Sequence, residues 1–419
     1  MAVLLTNVSN ALQKVIMPFI QDNFPKQTIL LDQVKRNQGV TFMNDNFYAP
    51  IRTSRHGGIT NLANDGNTLV SGKSSIGQAS VGVKLLTGTF DISQLTLDAT
   101  KTNKGAVENQ LTFQASTLAS DFARDVNRQY YSDGVGILAQ VSGSVGAGTL
   151  SVIYPNSSLD DGRSIDWYGG VNNDIAPTKY IHPDMVLGIG TAAADLGTVT
   201  SVTTDSSGTI GTVVMTGGPA IVANDSIYRV DGSGEGAGTA EIQGVRLALS
   251  STTGTSTYAG VARSTYGWTP QLGTASAALT ISTMETRYLA AREFGQMGDR
   301  YAFFVNKTLY KKYGDILTSL RRTVNETDLL GGWTGLEFAA GAGRVGVFLD
   351  YDVPDGEVLL INLDTWTITQ VSDMRWLEDP SGTLVRRRDA ITYQATMVWF
   401  TNLICVCPAA NGRDTQKTG

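Results

Sequence analysis

The spacing of apolar positions divides this chain into three regions. The stretch from Phe47 to Leu97 is polar and rich in glycine, and its middle, Asn61 to Ser80, holds almost no large apolar side chains. The next segment, Gly105 to Tyr131, has an apolar residue at every third or fourth position: Val107, Leu111, Ala115, Leu118, Phe122, Val126 and Tyr130. This spacing predicts one amphipathic helix, about 40 Å long at about 1.5 Å per residue. The remainder is predicted to be β-rich, because Gly, Ser and Thr interrupt it repeatedly.

The two faces of the predicted helix differ in character. We expect Leu118, Phe122 and Val126 to face the core of the protein, since burial of large apolar side chains is the main source of helix stability in proteins. The opposite face is expected to meet solvent or an interface, and it carries Glu108, Asp121, Arg124, Asp125 and Arg128.

The polar stretch before the helix reads as a long extended hairpin. Strand-like chain begins near Phe47 and returns through Val81 to Ile92, with a polar tip between the two sides. An isolated two-stranded hairpin is only marginally stable in water, so this loop is expected to lie on a neighbouring subunit. Its candidate residues for ion pairs with that neighbour are Arg52, Arg55 and Lys73.

Short strands and two further helices are predicted after the long helix. Tyr180 to Gly244 contains its own alternating strands separated by Gly and Asp turns, which indicates a small inserted β-barrel or sandwich. A second helix is predicted over Ser282 to Phe294 and a third over Lys307 to Leu320, with a strand between them. A short helical piece is plausible near Asn10 to Phe19.

A β-hairpin is the clearest feature of the C-terminal region. Thr365 to Leu377 leads into Asp379 to Gly382, which matches a type I turn, and the return strand alternates apolar and polar residues up to Trp399. The return strand begins with a basic run, Arg386, Arg387 and Arg388. This run is interpreted as exposed structural charge, as intersubunit ion pairing or as a phosphate contact. A last short strand is predicted at Leu403 to Val406, and Asn411 to Gly419 is expected to fray.

The composition of the chain excludes several classes of function and location. The net charge of −6 argues against a protein that reads DNA sequence. The chain has no secretory signal and no apolar run long enough for a membrane span. Cys405 and Cys407 have a spacing that fits neither a redox motif nor a zinc knuckle, so they are expected to be buried thiols. We therefore expect the protein to be made and kept in a cytosol.

Nothing in the sequence predicts catalytic, cofactor-binding or metal-binding residues. Gly72-Lys73-Ser74 resembles the end of a phosphate loop, but Gly66 and Gly72 are separated by five residues where that motif requires four. His182-Pro183-Asp184 is interpreted as a turn. With His56 as the only other histidine, and without a nucleophile elbow, an enzyme is disfavoured.

The order of these parts resembles the major capsid proteins of tailed bacteriophages, which have the Hong Kong ninety-seven type fold. Phe47 to Leu97 looks like the extended loop, Gly105 to Tyr131 like the spine helix and Thr365 to Phe400 like the hairpin of the peripheral domain. The segment from Tyr258 to Trp268 is similar to the approach to the axial domain, and Asn402 to Pro408 is similar to the final strand.

The resemblance implies an α+β capsid fold with peripheral and axial domains and an additional β-rich insertion domain. The expected divisions begin with an N-terminal arm (1–45), an extended loop (46–100), and a spine helix with the peripheral domain (101–180). An insertion domain (181–244) and an axial domain (245–364) follow. The chain is expected to end with the peripheral hairpin (365–400) and a final axial strand with a tail (401–419).

The resemblance also implies a function and partners. The chain is expected to assemble as pentamers and hexamers into the icosahedral head that encloses the double-stranded DNA of a tailed phage. Expected partners are a scaffolding protein, a portal, a possible decoration or cement protein and non-specifically contacted DNA, with no membrane and no cofactor. No charged helical leader precedes the arm, so we expect none to have been removed. Alternatives are the shell of a bacterial nanocompartment, which shares the fold, and a phage tail or surface β-protein.

Overall fold

The chain is described here by a computed structural model that contains four helices among the described residues. These residues are 30, 33–36, 40–61, 71–94, 104–142, 148–153, 178–189, 196–204, 211–216, 225–229, 241–250, 256–295, 298–319, 327–329, 333–340, 343–378, 384–387 and 391–419. The helices are α1 (Lys104–Tyr131), α2 (Val245–Ala248), α3 (Ile281–Arg292) and α4 (Lys307–Ser319). The helix predicted from Gly105 to Tyr131 is confirmed. The piece proposed near Asn10 to Phe19 lies outside the described residues.

A six-stranded sheet supports α1. Its central strand, Thr392–Cys405, pairs with Lys84–Ser93 from Thr392 opposite Ser93 to Thr401 opposite Lys84. The other four strands of this sheet are Lys35–Arg36, Trp366–Gln370, Arg375–Trp376 and Val385–Arg386.

The extended loop ends earlier than predicted. It is a three-stranded sheet of Thr41–Met43, Asn46–Arg52 and Ile76–Gly82. The predicted return to Ile92 is wrong, because Lys84–Ser93 belongs to the six-stranded sheet instead. The alternating buried positions of that strand, such as Leu86 and Gly88, bury an apolar face that a free loop would leave in water.

The inserted β module is a closed six-stranded barrel. In spatial order its strands are Gly211–Thr216, Thr149–Ile153, Ile137–Val141, Ser226–Arg229, Val186–Ile189 and Leu196–Thr204. The predicted start at residue 181 is wrong, because two barrel strands precede it. Both of those strands contribute to the barrel core, where Leu138, Val141, Leu150 and Val152 are buried with residues from the later strands.

A seven-stranded mixed sheet forms the remaining body, with α3 and α4 packed on it. Its spatial order is Gln271–Gly273, Gly412–Asp414, Val358–Asn362, Tyr301–Val305, Gly343–Leu349, Trp333–Ala340 and Thr327–Leu329. Two small sheets pair Thr257–Tyr258 with Val261–Ala262 and Ala277–Ala278 with Lys417–Thr418. Single 3-10 turns lie at Leu363–Thr365 and Pro408–Ala410.

The end of the chain corrects two expectations. Leu403 to Val406 is not a separate strand, because Thr392–Cys405 runs on without interruption. The tail does not fray: Gly412–Asp414 lies inside the seven-stranded sheet. Asn411 fixes its start, since its Oδ1 accepts hydrogen bonds from Trp366 Nε1 (2.9 Å) and the Asn362 backbone nitrogen (2.7 Å). The predicted turn at Asp379 to Gly382 lies outside the described residues.

Candidate interaction surfaces

The extended loop is anchored at its root and exposed toward its tip. At the root, Asn402 Nδ2 donates to the Gly82 carbonyl (2.6 Å) and the Ser80 nitrogen donates to the Ala259 carbonyl (2.8 Å). Farther out, Ile59 and Ile76 are 87% and 79% exposed. Neither isoleucine belongs to a hydrophobic core cluster of the described residues.

Three glycines meet where the two sides of the loop come close together. A Cβ on Gly72 would overlap the backbone of Gly57 and Gly58, so the two sides of the loop can approach this closely only because Gly72 has no side chain. This close backbone contact explains why a glycine stands at position 72. A phosphate loop would be followed by a helix, but Gly72-Lys73-Ser74 is followed by the strand Ile76–Gly82.

The three basic residues predicted for this loop have different surroundings. Arg55 Nη2 donates to the Tyr266 hydroxyl (2.7 Å), and its guanidinium carbon lies 5.1 Å from the centre of that ring. Arg52 Nε donates to the Ser54 carbonyl (3.0 Å). Lys73 is exposed, and the described residues give its side chain no hydrogen bond or ion pair. Two of the three therefore contact their own subunit.

The basic run of the C-terminal hairpin is also divided. Arg386 is exposed on the strand Val385–Arg386. Arg387 forms an ion pair with Asp91 (3.2 Å), and both side chains are largely exposed, so the pair contributes little to stability. Arg388 lies outside the described residues.

The predicted core stripe of α1 faces the six-stranded sheet. Val126 is fully buried, Phe122 is 8% exposed and Leu118 is partly buried against the same core. The helix meets the sheet at Gly88, where an added Cβ would lie 3.1 Å from Leu118 Cδ1 and 3.4 Å from Phe122 Cδ2. The absence of a side chain at Gly88 therefore permits this close approach.

The C-terminal end of α1 is buried on all sides and held by polar contacts that the sequence did not predict. Asn127 Nδ2 donates to Asp350 Oδ1 (3.1 Å) and to Asp352 Oδ2 (2.7 Å), and the Tyr131 hydroxyl donates to Asp350 Oδ2 (3.0 Å). Lys179 Nζ donates to Asp352 Oδ1 (3.0 Å). This polar junction joins α1 to the chain that leaves the seven-stranded sheet and to the residues that precede the barrel strand Val186–Ile189.

The electrostatics of the polar junction follow from its burial. Burial raises the pKa of Asp350 to about 6, and the charge of Asp352 adds to the rise, although hydrogen bonds from Asp352, Tyr131 and Asn127 oppose it. Burial, together with the charge of Asp350, raises the pKa of Tyr131 well above its ordinary value. Tyr131 is therefore a neutral donor at physiological pH.

The charged face of α1 was predicted to meet solvent or an interface, but Arg128 on that face is buried. Its side chain is 1% exposed and pairs with Glu241 and with Asp125, and Asp125 also pairs with Arg229 of the barrel. Burial alone would raise the pKa of Asp125, but Arg128 and Arg229 hold it below its ordinary value. Charged partners from distant parts of the chain thus allow an arginine to be buried.

A second buried cluster of charged residues, Arg246, Glu357 and Arg413, lies near the C-terminus. Glu357 accepts hydrogen bonds from Arg246 Nε (3.1 Å) and Arg413 Nε (3.1 Å). Burial would raise the pKa of Glu357, but the two guanidinium groups hold it below its ordinary value. Burial raises the pKa of the Cys405 and Cys407 thiols, so both are neutral. Neither forms a disulfide; Cys405 is buried, as predicted, whereas Cys407 is only partly buried.

Within the described ranges, no group of three or more His, Cys, Asp or Glu residues is arranged to hold a metal ion. No helix in the described part of the chain is long and apolar enough to cross a membrane.

Comparisons with known proteins identify the fold. No protein-family model and no curated protein matches the chain. It resembles a chain of the cyanophage A-1(L) capsid asymmetric unit with a TM-score of 0.52 and 13% identity, over 94% of this chain and 93% of the other. A chain from the capsid of a native GTA particle is similar at a TM-score of 0.43 and 11% identity, over 93% and 90%.

The holo-SrpI encapsulin complex from Synechococcus elongatus PCC 7942 is matched over 35% of this chain and 53% of the other, at 11% identity and a TM-score of 0.27. The fold assignment depends on the cyanophage structure alone. The mixed α/β chain has the fold of a phage capsid subunit, and the resemblance predicted from the sequence is confirmed at the level of the fold.

Proposed function

We propose that this chain is the major capsid protein of a tailed bacteriophage. Its copies would assemble in the host cytoplasm as pentamers and hexamers and form the icosahedral head around double-stranded DNA. The observation that carries this proposal is the agreement of fold along 94% of the chain with a cyanophage capsid chain. A structural role also agrees with a sequence that contains two histidines and no recognised catalytic motif.

The extended loop provides the physical argument for assembly. Its outer part exposes Ile59 and Ile76 and contributes little to the core of its own subunit. Head-to-tail contacts between identical subunits close into rings when the rotation permits, and a loop of this kind would lie across the next subunit in the ring. Lys73 and Arg386 are the exposed charges that we propose for contacts between subunits.

We assign the parts of the chain as follows. The six-stranded sheet with α1 forms the peripheral domain, and the seven-stranded sheet with α3 and α4 forms the axial domain. The barrel is an insertion domain on the peripheral part. The partners would be a scaffolding protein, a portal, a decoration protein, and DNA held without sequence preference, since a net charge of −6 limits its adhesion to the subunit.

Electron microscopy of the purified, expressed protein tests the proposal directly. We expect closed shells or their pentamers and hexamers, alone or after co-expression with the scaffolding protein of the same phage. Monomers at every concentration and with every assembly factor, or open fibres, would contradict a capsid function. Nuclease-protected double-stranded DNA in shells from infected cells would distinguish a phage head from a compartment that encloses an enzyme.

A further inference from the structure

A cavity of about 350 Å³ lies where the root of the extended loop meets the body of the subunit. This volume falls at the lower end of the range for small-molecule sites, which is roughly 300–1,000 Å³. Both the loop and the body contribute lining residues. Those of the loop are Pro50, Ile51, Arg52, Ser54 and Arg55, and those of the body are Tyr266, Gly267, Trp268, Glu293, Phe294, Val406 and Cys407. The cavity therefore lies at the contact between the extended loop and the body of the subunit.

The charges at this cavity are unbalanced. Arg52 and Arg55 both line it, whereas Glu293 is the one acidic residue among the lining residues that the structure describes. Arg55 is bound to Tyr266, a neutral partner, and Arg52 to a backbone carbonyl. Within the described ranges neither arginine forms an ion pair with a carboxylate. A guanidinium group keeps its charge and presents several donors in a plane, which suits carboxylate and sulfonate groups.

Three aromatic side chains form much of the apolar lining of the cavity. The ring of Tyr266 lies 5.7 Å from that of Phe294, and Tyr266 is 53% exposed. Trp268 is buried, with its Nε1 donating to the Tyr258 carbonyl (3.0 Å). Aromatic rings that are already held in place form good contacts with flat apolar groups at little entropic cost.

We propose that this cavity binds an anionic amphiphile, a carboxylate or sulfonate carried on a flat apolar body. The apolar body would occupy the space among Tyr266, Phe294 and Val406, and the anion would face Arg52 and Arg55. Because the ligand would contact both the loop and the body, its binding would hold the root of the extended loop in the orientation seen here. This inference goes beyond the capsid function and does not depend on it.

The test uses two fluorescent probes with nearly the same apolar body. 1-Anilinonaphthalene-8-sulfonate carries the anion, and N-phenyl-1-naphthylamine does not. The full-length subunit should bind the sulfonate probe at one site and more tightly than the neutral probe. The double variant Arg52→Gln/Arg55→Gln should bind the sulfonate probe about tenfold more weakly, as expected for the loss of charge-assisted contacts. Its affinity for the neutral probe should stay within about twofold.

Two further variants separate this cavity from general surface adhesion. Arg375→Gln removes an exposed arginine from another sheet and should leave both affinities unchanged. Val406→Trp fills the cavity and should abolish saturable binding of both probes. The proposal is overturned if the double variant, whose substitutions lie on exposed side chains, binds the sulfonate probe as tightly as the original chain. It is also overturned if Arg375→Gln weakens binding of the sulfonate probe as much as the double variant does.

Discussion

Asn127 and Asp350 are separated by 223 positions in the sequence, yet Asn127 Nδ2 lies 3.1 Å from Asp350 Oδ1. The same amide reaches Asp352, so a single side chain of α1 holds two carboxylates of the segment that follows Gly343–Leu349. This contact fixes the C-terminal end of the long helix against the seven-stranded sheet. In the capsid that we propose, it would set the relative position of the peripheral and axial domains.

The polar junction should make stability depend on pH. The pKa of Asp350 is raised to about 6 in the folded subunit, above its unfolded value of about 3.9. Its contribution to stability is therefore greatest below the unfolded pKa and is lost as the pH rises through about 6. We expect the contribution of Asp350 to the free energy of unfolding to fall by roughly 1 kcal/mol between pH 5 and pH 7.5.

Urea denaturation of the unassembled subunit at both pH values measures this change. The variant Asp350→Asn removes the titration and should flatten that part of the pH profile. Asp373→Asn, which alters a carboxylate whose side chain is 82% exposed, is the control and should leave the profile as it is. A profile for Asp350→Asn that equals that of the original chain would refute the assignment.

Truncation of Phe122 should destabilise the subunit strongly. The side chain is 8% exposed and packs beside Leu118 over Gly88, and replacing a buried Phe by Ala typically costs about 3 to 5 kcal/mol. Phe122→Ala should therefore lower both the denaturation midpoint and the yield of folded subunit. Its neighbour Asp121 is exposed, so Asp121→Ala should have almost no effect. Equal stability of the two variants would show that this face of α1 is not buried.

Shortening the extended loop should separate folding from assembly. Deletion of residues 58–72 would join Gly57 to Lys73, whose backbones already share a hydrogen bond of 3.5 Å. The strands Asn46–Arg52 and Ile76–Gly82 stay intact, so we expect a folded subunit that no longer forms stable shells. Analytical sedimentation and electron microscopy measure this. A Gly/Ser segment of the original length is the comparison, and normal shells from the deletion variant would exclude a role of the loop in assembly.

The barrel should be removable when it is cut at its true boundary. Arg229 donates its backbone N–H to the Gly136 carbonyl (3.2 Å), so residues 137–228 can be replaced by a short Gly/Ser linker. We expect the remaining body to unfold cooperatively. Deleting 181–241 instead removes four of the six strands and Glu241, the partner of Arg128, and should give insoluble protein. Thermal unfolding followed by circular dichroism compares the two, and equal behaviour would contradict the barrel boundary.

Much of the fold could be predicted because its signals are local. The apolar stripe of Leu118, Phe122 and Val126 has the period of a helix, and the alternation before Trp399 has the period of a strand. Neither signal depends on what the segment packs against. The polarity of the outer loop likewise indicated a segment that does not contribute to a core.

The misplaced boundaries have one physical cause. Ile137–Val141 and Thr149–Ile153 lie before the predicted start of the insertion, and only their pairing with Ser226–Arg229 and Gly211–Thr216 assigns them to the barrel. Local sequence alone puts Lys84–Ser93 in the loop, because its partner strand, Thr392–Cys405, lies about three hundred residues later. A strand's sequence specifies which side chains alternate, but its partner strand is chosen by the packing of the whole chain.

The sequence by itself determined the long helix, the order of extended loop, helix and β-rich body, and hence the resemblance to a capsid subunit, because these depend on periodicity and composition. Only the tertiary structure decided the burial of Arg128, the ordered position of Asn411 to Gly419 and the junction of Asn127 with Asp350 and Asp352. A charged or polar side chain is buried only where partners from distant segments satisfy it, and no local pattern records where those partners will lie.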